Sequence, residues 1–239
     1  MLAGKCCVVT GASRGIGKTI ATSFSKEKAS LILVSRSKEK LEQVAKECKG
    51  HGAEKVETFS VDLADTAAVD SFTDTVLKSH GGVDVLVNNA GGFGSGGNTP
   101  KDGDPDDWDE MMKVNLLAPM RLTRRFSPSM VEKSDGAIIN ICSVAGVEPM
   151  TNMCAYAASK WGMRGWSLSC YENLRRDNIK VCCINPAMVR TEMTAKVGAI
   201  PENMMDPEDV AEAALFVVRT SSKCCPQDIT LRLTKSAFG

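Results

Sequence analysis

The chain predicts a doubly wound α/β fold, and three observations predict it. Short apolar runs alternate with longer amphipathic stretches, several runs are apolar nearly throughout, and no Pro/Ser-rich linker breaks the alternation. Runs without a polar face suit strands covered by helices on both sides of a parallel sheet, and the β-α-β order supplies the helical crossovers. About seven strands are expected, in a single domain spanning residues 1–239.

In chain order, strands are expected at 6–9, 31–34, 83–87, 137–141 and 179–184, with less continuous runs at 56–61 and 229–233. Two helix starts are marked by Asp104-Pro105 and Asp206-Pro207. Each offers an Asp N-cap, Pro at the first helical position, and further acids facing the positive helix end. The run Gly91-Gly92-Phe93-Gly94-Ser95-Gly96-Gly97-Asn98 reads as a loop rather than a boundary.

Composition excludes several classes. With 239 residues and 43% hydrophobic side chains the chain can bury a substantial core. Basic and acidic side chains balance at 29 each, so no general attraction to nucleic acid or anionic membrane is expected, and any anion site must be local. No apolar run approaches the roughly 18 residues of a membrane-spanning helix. The final residues Ser236-Ala237-Phe238-Gly239 carry no targeting signal. A soluble cytoplasmic protein is expected. The ten cysteines include three vicinal pairs but no C-x-x-C, and only His51 and His80 could join them as ligands, so no metal site is expected. Cys6, Cys7, Cys142, Cys182 and Cys183 lie in apolar runs, where a free thiol packs as a small hydrophobe.

After the first strand comes Thr10-Gly11-Ala12-Ser13-Arg14-Gly15-Ile16-Gly17, followed by a helix-like stretch at 18–28. Gly11 permits a sharp turn, Gly15 lets the backbone approach a pyrophosphate, and Gly17 lets helix and strand pack closely, with the anion on the helix's free amides. This strand-turn-helix context makes the sheet Rossmann-type and the turn a dinucleotide site. At the end of the second strand an acid would hold the ribose 2′-hydroxyl of NAD. The local sequence is Val34-Ser35-Arg36-Ser37, with no carboxylate. Arg36 and Arg14 could clamp a 2′-phosphate instead, which points to NADP(H); the alternative is that both are solvated surface arginines.

Tyr156 and Lys160 stand four residues apart, on one face of a predicted helix. At ~6 Å and an effective dielectric of about 20, the lysine charge favours a phenolate by about 3 kcal/mol, roughly a hundredfold in its ionisation constant. Such a tyrosine can exchange a proton near neutral pH.

Together these residues resemble the short-chain dehydrogenase/reductase family across essentially the whole chain. The resemblance adds Asp62, Asn88-Asn89-Ala90-Gly91, Asn115, Ser143 (13 residues before Tyr156), Pro186 and Thr191. It implies an NADPH-dependent carbonyl reductase. Tyr156 would be the general acid, and Lys160 would bind the nicotinamide ribose and lower the tyrosine pKa. Ser143 would hydrogen-bond the substrate oxygen, and Asn115 would hold a water in the proton path. Asp62 would meet the adenine, Asn89 and Ala90 the adenosine ribose side and Thr191 the carboxamide, with Leu63, Gly91, Pro186 and Val189 also contacting the cofactor. Ser13 and Ile16 join the glycine turn. The alternatives are a 3-oxoacyl thioester reductase, a small hydroxy-acid or semialdehyde dehydrogenase, and a non-catalytic NADP-binding sensor.

The sequence departs from the family pattern at Ala187, where glycine is usual, and at a C-terminal end lacking the family's tryptophan and glycine pair. Substrate contacts are expected from residues 144–153, 91–100 and a lid at about 187–206, which carries Met188, Met193, Met204 and Met205. Arg190 is the lid's candidate for a substrate carboxylate. On the catalytic helix Met163, Trp166, Cys170 and Leu174 form one apolar stripe, and Trp161, Leu168 and Tyr171 another side. Two apolar sides, with the resemblance, imply a homodimer or homotetramer built on this helix.

Overall fold

Seven of the predicted runs become strands of one sheet: β1 Cys6–Thr10, β2 Ser30–Ser35, β3 Lys55–Ser60, β4 Val85–Asn88, β5 Gly136–Ile141, β6 Ile179–Pro186 and β7 Asp228–Leu231. All neighbouring pairs are parallel, in the order β3-β2-β1-β4-β5-β6-β7. The computed structural model describes residues 2–94, 98–195 and 197–238. Ser95, Gly96 and Gly97 of the glycine-rich loop and Lys196 of the lid therefore lie outside the described residues, as does Gly239.

The apolar runs are continuous because successive side chains serve two different cores. Cys7, Val9, Leu31, Leu33, Val85, Val87, Ile139 and Cys182 join a cluster beneath α1 (Gly15–Lys26), α2 (Lys38–Gly50) and α7 (Pro207–Arg219). Val8, Ile32, Val34, Leu86, Ile138 and Val181 join the opposite cluster beneath α3 (Thr66–His80), α5 (Ala118–Lys133) and α6 (Cys154–Leu174).

Helix starts follow the expected chemistry with one variation. Asp104 caps α4 (Pro105–Met112) by accepting from the Asp106 amide at 3.0 Å. At α7 the Asp209 carboxylate reaches back to the Asp206 amide at 2.9 Å. The first helix begins at Gly15, three residues before the expected stretch, so the last glycines of the turn are its first residues. Strand β4 runs from Val85, two residues after the expected start, and the Asp84 carboxylate just before it accepts the Cys6 amide at 2.8 Å.

Between α4 and α5 the residues Lys113–Leu117 wind as a π-helix, with the Ala118 amide donating to the Lys113 carbonyl. Such a bulge is often functional, and Asn115 is its buried member. All ten cysteines are free. Cys7, Cys48, Cys142, Cys170, Cys182 and Cys183 are buried, in line with core packing, and burial pushes the Cys182 thiol well up. Cys6, one of the five expected to pack as a small hydrophobe, is only half-buried, and Cys154 and Cys224, outside that set, are exposed. No described helix is long and apolar enough to cross a membrane.

Candidate active site

The strand order reverses between β1 and β4, which are neighbours in the sheet though β2 and β3 intervene in sequence. Loops leaving the carboxyl ends at such a point diverge and open a crevice. Here it is a cleft of about 830 Å³, lined by the segments that follow β1 to β6. Thr10 pins its base. The Thr10 hydroxyl donates to the Val87 carbonyl (3.2 Å) and accepts the amides of Asn89 (2.9 Å) and Ala90 (3.0 Å). The Asn89 side chain returns a bond to the Thr10 carbonyl at 2.8 Å.

Of the predicted cofactor residues, Gly11, Ser13, Arg14, Gly15, Ile16, Arg36, Asp62, Leu63, Asn89, Ala90, Gly91, Pro186, Val189 and Thr191 all line the cleft, as do Tyr156 and Lys160. Gly17 does not. A Cβ there would stand 2.4 Å from the Gly11 carbonyl oxygen and from Asn89 Nδ2, so Gly17 acts by letting α1 pack into the turn. Gly11, with φ +64°, makes the turn itself. The first turn of α1 holds no acid, and Arg14 at its N-cap contributes no capping side chain. The leading amides are thus open toward an anion in the cleft.

The far end of β2 carries Arg36, whose exposed guanidinium stands 3.8 Å from the Glu110 carboxylate. Thr191 and Glu192 lie over the turn. A Cβ at Gly15 would sit 3.2 Å from the Thr191 methyl and 3.8 Å from Glu192 Oε2.

The other end of the cleft gathers the proposed chemistry. Tyr156 and Lys160 lie on the inner face of α6 and are 7% and 4% exposed. Lys160 Nζ donates to the Ile141 carbonyl at 3.2 Å and lies 5.6 Å from the Tyr156 ring centre. Ser143 follows β5, and its Oγ accepts the Ala145 amide at 3.1 Å. Asn115 is 1% exposed. Its Oδ1 accepts the Gly92 amide (2.9 Å), and its Nδ2 donates to the Gly92 carbonyl (3.0 Å) and to Ser159 Oγ (3.0 Å). Ser159 in turn donates to the Tyr156 carbonyl at 2.7 Å. The π-helix thereby ties the segment after β4 to the turn of α6 that carries the tyrosine. Gly91 is held between them: a Cβ there would be 3.0 Å from Asn115 Oδ1 and 3.4 Å from Lys160 Nζ.

Several site residues were not singled out by the sequence reading, although Phe93 and Asn98 fall in its expected substrate loop 91–100. Asn98 Oδ1 accepts the Tyr156 amide at 3.1 Å while its Nδ2 donates to the Phe93 carbonyl at 2.8 Å, fixing the start of α6. The Phe93 ring packs on Tyr156 with centroids 4.4 Å apart. Cys142, next to Ser143, lines the cleft and donates to the Lys160 carbonyl at 3.1 Å. The only sequence signal for Asn98 was an Asn closing a glycine run, which marks a turn and nothing more.

Other expectations are corrected. Arg190 is outside the cleft lining and pairs with Asp206 at its Nε, 3.1 Å away, so it does not address a substrate there. Of the lid methionines only Met188 and Met193 line the cleft. Met205 packs on the sheet core, and Met204 borders a separate small hollow. The stripe Met163, Trp166, Cys170 and Leu174 packs into the core, as does Tyr171, leaving Trp161 at 45% exposure and half-buried Leu168 as the outer apolar residues.

Comparison with known proteins gives the same answer. The short chain dehydrogenase family matches residues 5–201. An oxidoreductase of Staphylococcus aureus (strain MW2) is 34% identical over 232 residues, covering 97% of this chain and 98% of that one. A metagenomic short-chain oxidoreductase solved with NADP is 35% identical, with 98% and 99% coverage and a TM-score of 0.84. L-Sorbose reductase from Gluconobacter frateurii, solved with NADPH and L-sorbose, is 30% identical, with 96% and 95% coverage and a TM-score of 0.87. A xylitol dehydrogenase solved with NAD+ is 25% identical, with 96% and 98% coverage and a TM-score of 0.85. By fold, by cleft and by these matches, the chain belongs to the short-chain dehydrogenase family of oxidoreductases.

Proposed function

We propose that the protein reduces a ketone or aldehyde to an alcohol with NADPH, Tyr156 supplying the proton. One observation carries the reading: Tyr156, Lys160 and Ser143 line one end of a cleft whose other end holds Arg14 and Arg36. The open amides of α1, the glycine turn and the two arginines fit a dinucleotide bearing a 2′-phosphate, because no carboxylate stands at the end of β2 itself. When bound, the nicotinamide supplies the hydride.

The chain's own groups manage orientation and the proton. Ser143 Oγ already accepts the Ala145 amide, so its O–H remains to donate to the substrate oxygen. The Tyr156 hydroxyl donates to the same oxygen and delivers the proton. Lys160 spends one N–H on the Ile141 carbonyl and keeps two for ribose hydroxyls and for the tyrosine side. Asn115 holds the segment after β4 against α6, and a water beside it would refill the proton on Tyr156.

The cofactor half is tested by fluorescence titration. NADPH is expected to bind at least about tenfold more tightly than NADH, and Arg36→Asp to erase that ratio. Equal affinity in the parent protein would remove the 2′-phosphate reading and leave a site that takes either cofactor. Trp161 and Leu117, 45% and 51% exposed, lie on contacting elements and support a homodimer or homotetramer through α6. Light scattering at micromolar concentration checks this, and a monomer would refute it.

A further inference from the structure

The substrate end of the cleft differs in character from the cofactor end. Buried Tyr156, Met111 and Ala145 form one apolar cluster, against which Phe93, Met150 and Met153 pack. Met188 and Met193 add two more thioethers to the lining. Polar capacity there is small among the described residues. Asn115 has its Oδ1 and both amide N–H groups committed to Gly92 and Ser159, and Asn98 is committed to Phe93 and Tyr156. That leaves the Ser143 and Tyr156 hydroxyls, which one carbonyl oxygen consumes, and the Asp107 carboxylate. The Asp107 carboxylate lies against Gly94, with Oδ2 2.7 Å from where a Gly94 Cβ would stand. Lys160 is the one Lys or Arg in this part of the described lining.

From this we infer that the physiological substrate is an uncharged, predominantly apolar ketone or aldehyde, rather than a polyhydroxy ketose or a keto acid. The inference rests on the carbonyl-reductase reading and specifies its substrate class. A ketose carries several hydroxyls, and those beyond the reach of the single Asp107 carboxylate would enter without a partner, which is costly to bury, since a thioether is only a weak acceptor. A carboxylate would meet Asp107 and find no arginine to pair with. Methionine side chains, flexible and polarisable, close instead around apolar shapes of different outline. This sets the chain apart from what the name of its sorbose-reducing relative would lead one to expect.

The test compares 2-octanone and acetophenone with D-fructose and 2-oxobutanoate as oxidants of NADPH. At least one of the apolar ketones should exceed both polar substrates by about 100-fold or more in kcat/KM. Fructose or 2-oxobutanoate within tenfold of the better ketone would overturn the inference while leaving the reductase reading intact. A second measurement avoids turnover: 2-octanol, and not sorbitol, should raise the Tm of the NADP-loaded protein, and the reverse would overturn it. Met150→Gln and Met193→Gln should each raise KM for 2-octanone about fivefold or more with NADPH affinity unchanged; unchanged KM in both counts against it. Failure of the parent protein to bind NADPH, followed separately by fluorescence, would refute the underlying reading.

Discussion

Replacing Gly17 with alanine probes the junction on which the whole cofactor site depends. The added Cβ would stand 2.4 Å from the Gly11 carbonyl oxygen, 2.9 Å from the Gly11 carbonyl carbon and 2.4 Å from Asn89 Nδ2. The Asn89 amide can swing aside only by giving up its bonds to the carbonyls of Thr10 (2.8 Å) and Gly11 (3.3 Å). The Gly11 carbonyl is backbone, so restoring ordinary contact requires α1 to withdraw by about 1 Å, the kind of overpacking that costs about 1–3 kcal/mol. A lost hydrogen bond adds about 1 kcal/mol, and the better helix propensity of alanine returns up to about 1 kcal/mol. The net expectation is a loss of about 1–3 kcal/mol, or about 3–10 °C in Tm for a chain of this size. Because the leading amides of α1 move with it, NADPH affinity should fall at least about tenfold. Thermal unfolding and fluorescence titration read the two effects. Gly50→Ala serves as control: it ends α2 with nothing within 4 Å of a new Cβ, and should leave NADPH affinity unchanged and Tm equal or slightly raised by the helix propensity of alanine. A Gly17→Ala protein with parental Tm and parental NADPH affinity would refute the close-packing argument.

Three further outcomes follow. Glu110→Gln removes the carboxylate that stands 3.8 Å from Arg36; NADPH binding should tighten by about two- to fivefold with NADH unchanged, the size of an exposed pair. Asn115→Ala should lower kcat by about 100-fold or more while Gly91→Ala, which crowds Asn115 and Lys160, impairs cofactor binding too; parental kcat in the Asn115 variant would exclude it from the proton path and from positioning Tyr156. The Lys55 ammonium, with His80, holds the Glu57 carboxyl below its ordinary value of about 4.5. That stabilisation is complete above the unfolded value and is lost as pH falls through the lower folded one. Glu57→Gln should therefore cost stability at neutral pH, and denaturation curves should converge with the parent as pH falls through the lowered folded value.

The sheet was readable because parallel strands buried on two faces leave unbroken apolar runs, and all seven runs became strands. The glycine turn, Tyr156 and Lys160 were readable because their spacing is local: one turn of chain or one turn of helix sets the geometry. Groups assembled over long separations were harder. Nothing local distinguishes Asn98, which must reach across 58 positions to cap the Tyr156 amide. The π-helix at Lys113–Leu117 has no sequence period of its own, so nothing in the sequence announced it. Arg190, Met204 and Met205 failed for a related reason. A cation or a thioether in a loop reveals its partner only when the loop is placed, and placement gave Arg190 to Asp206 and Met205 to the core.

The central claim is that Tyr156 delivers the proton. It is tested most directly by mixing NADPH and an apolar ketone with the Tyr156→Phe protein and following absorbance at the nicotinamide band. The account predicts parental NADPH affinity with kcat reduced by about 10³-fold or more, because Phe keeps the ring packed on Phe93 and removes only the acid. A Phe variant that turns over at the parental rate would contradict it.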